Sequence, residues 1–283
     1  MPQQYYPGSI ELIKTAFNNE IHGILEAKQT MKQSVTVQNS NSGTEVFYVE
    51  SDSELNFSSD IPRDAEFPSD QILIERLNIS PRKFGGKSRI SWEDTIVVGP
   101  NLPMRTTRRM GNRIARLVDT QIWNQLSENQ TPVRNKTLAA ATAWDDGTRS
   151  NRIPQENLAN AIAVIQNSQL QAYQPTNLFV NPLNAAYLRS NDYVLSSFDA
   201  SGPELLSKGI MGLLYGLVVI QNPVITENYA LVSDPREALI WAEVAGLTTD
   251  VVPHSGEFVE FIAYEYGNGA LVAPGANCLI TGI

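Results

Sequence analysis

KGIMGLLYGLVVIQNPVI, residues 208–225, sets Gly209, Gly212 and Gly216 ahead of a dense apolar run and Pro223 just behind it. Three structures would account for such a stretch: a membrane span, a phosphate-binding loop, or a turn into a buried strand. A membrane helix needs about 18 or more consecutive apolar residues, and no run in the chain reaches that length. A dinucleotide-type phosphate loop needs Gly-x-Gly-x-x-Gly between a strand and a helix, and that spacing is missing. What remains is a turn. Glycine accepts positive φ and close backbone approach, so the three glycines read as a turn or close-packing site feeding a strand, Leu217–Ile220. Pro223, which cannot donate to a ladder, ends it.

The neighbouring segments support a mixed α and β body. TNLFVNPLNAAYLRS, from residue 176, reads as a buried strand, Asn177–Val180, followed by a short helix from Pro182. YALVSDPREALIWAE gives two strands about a turn at Asp234-Pro235, and the segments from residue 246 to the end read as further strands. Upstream, Leu158, Ile162 and Ile165 share one side of a helix that starts near Pro154. The strongest helical pattern covers 101–128, with Asn101 as a cap and Pro103 in the first turn. Met110, Ile114, Leu117 and Val118 form its apolar face, and Arg105, Arg108, Arg109, Arg113 and Arg116 lie opposite. This arginine stripe is either a solvated face or a strip on which carboxylates of another copy dock, a task suited to the planar guanidinium fork.

The first hundred residues look different. Ser9 can cap a helix with Glu11 in its first turn, and Ile10, Ile13, Phe17, Ile21 and Ile24 then recur at steps of three and four to about Met31. That apolar stripe needs a surface, on its own domain or on a neighbouring subunit. Residues 34–99 read as strands and extended chain: SVTVQ, TEVFYVES, an acidic stretch through Glu50, Asp52, Glu54, Asp60, Asp64, Glu66 and Asp70, then DQILIERLNIS, a basic turn PRKFGGKSR, and ISWEDTIVV. With little apolar material in its middle, this segment is expected to be an extended hairpin reaching away from the body and lying on something else.

The composition narrows the chemistry. The 283 residues suffice for one large core or two modest ones, and the net charge is −9. Such an acidic balance argues against a tight, sequence-independent grip on nucleic acid, which comes from Lys and Arg. It is compatible with a wall that encloses nucleic acid without sticking to it. The N-terminus has no basic region followed by an apolar core, so no secretory signal is read there. The single cysteine, Cys278, excludes an internal disulfide and a cysteine metal cluster. His22 and His254 stand in no triad or metal spacing. Gly86-Lys87-Ser88 ends like a phosphate loop, but Pro81 replaces its first glycine and a strand is expected after it. Asp145-Asp146-Gly147 is more simply a turn than a calcium loop. No catalytic, cofactor or metal site is expected.

Taken in order, TNLFVNPLNAAYLRS, GIMGLLYGLVVIQNP, YALVSDPREALIWAE and AYEYGNGALVAPGANCLITGI resemble the C-terminal half of tailed-phage major capsid proteins of the HK97-like fold. RISWEDT is similar to the short sequence that precedes the spine helix in that family. The resemblance implies an α+β fold and a structural protein without turnover. It implies an N-arm at 1–33 and an E-loop with flanking strands at 34–99. A peripheral domain would take 100–172 and 253–283 around spine helix 101–128. An axial domain would take 173–252, with Gly209, Gly212 and Gly216 at its turn. It further implies a homo-oligomer of pentamers and hexamers in a virion shell, assembled in the host cytoplasm with a portal, a separate scaffold protein and, in some relatives, a decoration protein. Glu50, Asp52, Glu54, Asp64 and Glu66 are expected to approach Arg105, Arg109 and Arg113 between subunits. Some members cross-link subunits through a Lys–Asn isopeptide bond. Lys83 and Lys87 are expected near the hairpin tip, but no acceptor Asn with its Glu matches, so no cross-link is expected. An encapsulin-type shell holding enzyme cargo is the alternative, left open by the Ser9–Met31 helix.

Overall fold

The computed structural model describes residues 7–41, 43–50, 74–91, 93–94, 101–128, 135–146, 153–167, 173–191, 198–199, 210–254 and 257–283. Helices are α1 (Pro7–Lys28), α2 (Asn101–Leu126), α3 (Pro154–Gln166), α4 (Pro182–Arg189) and the single turn α5 (Pro235–Ala238). Strands are β1 (Thr36–Asn39), β2 (Glu45–Glu50), β3 (Ile74–Ile79), β4 (Arg82–Ser91), β5 (Lys136–Ala139), β6 (Asn177–Val180), β7 (Phe198–Asp199), β8 (Ile210–Leu214), β9 (Leu217–Gln221), β10 (Tyr229–Ser233), β11 (Leu239–His254), β12 (Phe258–Leu271) and β13 (Asn277–Thr281).

The strands form a seven-stranded sheet, ordered β5-β13-β10-β6-β9-β8-β7, a four-stranded sheet, β1-β11-β12-β4, and the two-stranded β2-β3. The seven-stranded sheet is covered on both faces. Leu178, Val180, Val219, Val232 and Ile280 face one cluster with Leu158 and Ile165 of α3. Phe179, Ile220, Leu231 and Leu279 face the other, with Val118, Ile122 and Trp123 of α2. Side chains alternate across a strand, and burial on both faces explains why NLFV, LVVIQ and YALVS read as near-continuous apolar runs. This sheet takes in β5 and β13, which lie in the range expected to be peripheral, beside strands from the range expected to be axial.

The stretch that opened the sequence reading is a hairpin. β8 and β9 pair antiparallel with Leu214 opposite Leu217. The two residues between have positive φ, Tyr215 at 53° and Gly216 at 80°, as in the two-residue turns whose twist matches paired strands. A Cβ on Gly216 would meet open space, so the backbone angle is what asks for glycine. Gly212 lies within β8 and not in the turn, and Gly209 falls outside the described residues.

Three expectations are corrected. Helix α1 begins at Pro7, so Ser9 lies inside it and does not cap it. Its apolar stripe also has a surface within the same chain. Phe17, Ile21 and Leu25 are buried against Ile114 and Ala115 of α2 and Val251, Val259 and Phe261 of the four-stranded sheet. Gly111 of α2 makes the close approach available, because a Cβ there would lie 3.0 Å from Ile24 Cγ2.

Residues 34–99 are likewise not one free ribbon. β1 runs parallel to β11 and β4 antiparallel to β12, so both flank the body sheet. The base of the β2-β3 hairpin rests Phe47 and Ile79 on Ala242 and Ala270. Between Glu50 and Ile74 the chain lies outside the described residues. Finally, PRKFGGKSR is not a basic turn but most of β4, paired with β12. Its proline and glycines favour turns locally, yet the ladder with β12 overrides them. A Cβ on Gly85 would sit 2.4 Å from the Ala263 carbonyl oxygen, so the glycine serves close strand contact. Lys83 therefore lies over the Tyr264 ring and Lys87 pairs with Glu260, both within the body sheet.

Candidate inter-subunit surface

Helix α2 positions the site. Its 26 residues span about 40 Å at about 1.5 Å per residue. The C-terminal half is sealed: Val118, Ile122, Trp123 and Leu126 are buried. The N-terminal half lies on the four-stranded sheet through Ile114 and Ala115. At about 100° per residue, Arg105, Arg109, Arg113 and Arg116 fall within an arc of about 80° on the opposite side. All four are exposed. Arg108 sits to one side of that arc and donates from Nε to Glu20 of α1 at 2.8 Å. The other four make no ion pair with a described residue.

Beside this face, α2 and β4 leave a groove of about 370 Å³. Gly85, Gly86, Met110 and Leu117 line it, with Lys87, Arg109 and Arg113 among its charged residues. A Cβ on Gly86 would meet nothing within 4 Å, so the chain is bare there. Apolar lining with three cations suits an extended segment carrying carboxylates and small or apolar side chains. Of the acidic residues expected to dock, Glu50 closes β2 at the edge of the described hairpin. Asp52, Glu54, Asp64 and Glu66 lie outside the described residues.

The histidines and the cysteine are placed as ordinary structural groups. His22 is exposed on α1, and the His254 ring lies 4.3 Å from that of Phe258. Cys278 is buried in β13, where burial pushes its thiol up to about 11 and leaves it protonated and unreactive at neutral pH. Among the described residues no group of three or more His, Cys, Asp or Glu could hold a metal ion, and no helix is long and apolar enough to cross a membrane.

Sequence reasoning missed a buried polar junction. Lys32, just after α1, bonds Glu265 of β12 and lies 3.4 Å from Glu243 of β11, and Gln29 Nε2 donates to Glu265 at 2.8 Å. Next to it, Asp119 of α2 accepts from Asn222 Nδ2 at 2.6 Å. Burial, chiefly, raises the Asp119 carboxyl from 3.8 to about 7. Both acids carry a signal that periodicity could have found. Asp119 is bracketed by Ala115 and Ile122 on the packed side of α2. Glu265 occupies the inward register of β12 with Phe261 and Ala263.

A long helix bridges two sheets, an N-terminal helix lies along it and the β2-β3 pair rests on the four-stranded sheet, the arrangement of an HK97-like fold. The model of the phage capsid protein family matches residues 74–273. The chain belongs to that family. Similar solved structures include a virus-like particle from Pyrococcus furiosus, with TM-score 0.64 at 14% identity, covering 93% of this chain and 97% of the other. The capsid of a native GTA particle gives 0.64 at 14%, covering 90% of each. The capsid of cyanophage P-SCSP1u gives 0.63 at 12%, covering 88% and 86%. No curated protein sequence matches the chain.

Proposed function

We propose that the chain is the major head protein of a tailed phage, closing an icosahedral shell around double-stranded DNA. Membership of the capsid family supports a shell-forming subunit, and it favours a viral head over an encapsulin-type compartment. The protein acts by geometry. The region 173–252 serves as the axial domain at ring centres, with the β8-β9 hairpin among its loops. The ranges 100–172 and 253–283 serve as the peripheral domain. Assembly proceeds in the host cytoplasm on a separate scaffold and around a portal, with decoration proteins as a further layer.

The observation that carries the docking mode is the groove between α2 and β4, with Lys87, Arg109 and Arg113 lining it and the arginine arc alongside. The acidic segment of an adjacent copy, through Asp52, Glu54, Asp64 and Glu66, lies across it. Each exposed pair is worth only about 0–1 kcal/mol, so the strength comes from repetition around a closed, symmetric assembly. Replacing Arg109 and Arg113 together by glutamate leaves the subunit folded, with an unchanged melting temperature, but abolishes particles in negative-stain micrographs. Reversing Asp64 and Glu66 to lysine in the same chain restores them. Normal heads from the double arginine variant would show that the segment docks elsewhere.

A further inference from the structure

Three regions of the chain meet at Asp119. The residue is on α2 and 1% exposed. Its Oδ2 accepts from Asn222 Nδ2 at 2.6 Å, and the same amide nitrogen donates to Thr30 Oγ1 at 3.0 Å. Asn222 directly follows β9, and its Oδ1 accepts from the Val224 N–H at 3.0 Å. Thr30 closes the N-terminal segment just after α1. One side-chain amide therefore ties the N-terminal segment, α2 and the exit of β9 together. Asp119 Oδ1 is buried with no hydrogen bond closed to it; the N–H groups of Met31 and Lys32 favour the charged carboxyl without completing one. An ionised carboxylate wants partners on both oxygens, and an orphaned buried acceptor is costly.

Charged groups approach from each element packed here. Lys28 of α1 and Arg116 of α2 line the adjoining cavity of about 370 Å³, which Asp119 and Asn222 also line. From the segment after α1 comes Lys32, but its ammonium is committed to Glu265 of β12 and Glu243 of β11. A charged Asp119 would thus be a buried anion beside Glu265, with Lys28 and Arg116 held apart in the walls of that cavity.

We infer that Asp119 is a proton-operated clasp: protonated, it lets α2, Thr30–Lys32 and the β9 exit pack together, and losing the proton loosens that junction. The carboxyl is raised to about 7 by burial first, opposed by the Asn222 bond and by the N–H groups of Lys32 and Met31, with Glu265 adding to the rise. The clasp therefore operates near neutral pH. Relieving its charged form takes water or the inward movement of Lys28 or Arg116 from that cavity, and either opens the packing of α2 against Thr30–Lys32 and the β9 exit.

Hydrogen exchange of the full-length chain, read by mass spectrometry at pH 6 and pH 8 and corrected for intrinsic exchange, tests this. In the wild type, protection of peptides over 29–36 and 217–226 falls about tenfold at pH 8, which is about 1.4 kcal/mol, while α3 is unchanged. In Asp119→Asn that pH response vanishes; in Glu265→Gln it persists. Infrared carboxyl bands, read as a wild-type minus Asp119→Asn difference, give a titration centred near neutrality. A wild type with no pH response, or an identical response in Asp119→Asn, overturns the inference. So does a carboxyl band that titrates in the ordinary aspartate range.

Discussion

Replacing Asp119 by asparagine gives a stability change whose sign depends on pH. In the folded subunit the Asp119 carboxyl titrates at about 7, against 3.8 for an exposed aspartate. Between those values the folded chain holds a proton that the unfolded chain has released, so stability falls as pH rises through that window and levels off above about 7. At about 1.36 kcal/mol per pH unit the full fall is about 4 kcal/mol. Asparagine keeps an acceptor for Asn222 Nδ2 but places an amide donor where Oδ1 has no hydrogen bond closed to it, at a cost of about 1–3 kcal/mol. The variant is therefore less stable than the wild type by about 1–3 kcal/mol at pH 4 and more stable by about 1–3 kcal/mol at pH 8. Urea unfolding of dissociated full-length subunits shows this through the fluorescence of Trp123, Trp144 and Trp241, all buried. Other carboxylates titrate in both proteins and cancel in the difference. Parallel stability curves from pH 4 to pH 8 would falsify the reasoning, because they would mean that Asp119 folds with its charge already compensated.

Lys32→Met removes the cation between Glu265 and Glu243; leaving the buried Glu265 carboxylate without its cation destabilises the subunit by about 3–5 kcal/mol, measured as a lower urea midpoint with an unchanged slope. Gly216→Val forces a β-branched residue to a φ of 80° and lowers stability by about 1–3 kcal/mol without a steric clash, so Gly216→Asn, which tolerates that region, recovers most of the loss. Trp123→Ala empties the largest side chain that α2 sends into the core and costs about 3–5 kcal/mol, seen as a fall in melting temperature. Boiling particles in SDS gives a single monomer band, since Lys83 lies over Tyr264 and Lys87 pairs with Glu260 in the body sheet; a ladder of multimers would require a lysine partner elsewhere.

Local pattern was enough for the elements that bury a face. Helix α2, helix α3, the strand at Asn177–Val180 and the turn before Leu217 were all legible, because apolar periodicity and a positive-φ glycine are properties of neighbours in sequence. The arginine arc was legible for the same reason: helical spacing alone puts Arg105, Arg109 and Arg113 together. What α1 lies against was not. Its stripe through Phe17 and Ile21 says that a surface exists, and only the fold shows that α2 and Val251, Val259 and Phe261 supply it. PRKFGGKSR has the composition of a turn and becomes a strand because β12, about 180 positions later, offers a ladder. The junction of Asp119, Asn222 and Thr30 was equally hidden. A carboxyl's proton affinity depends on what surrounds it in space, and those surroundings come from segments that the chain brings together only once it is folded.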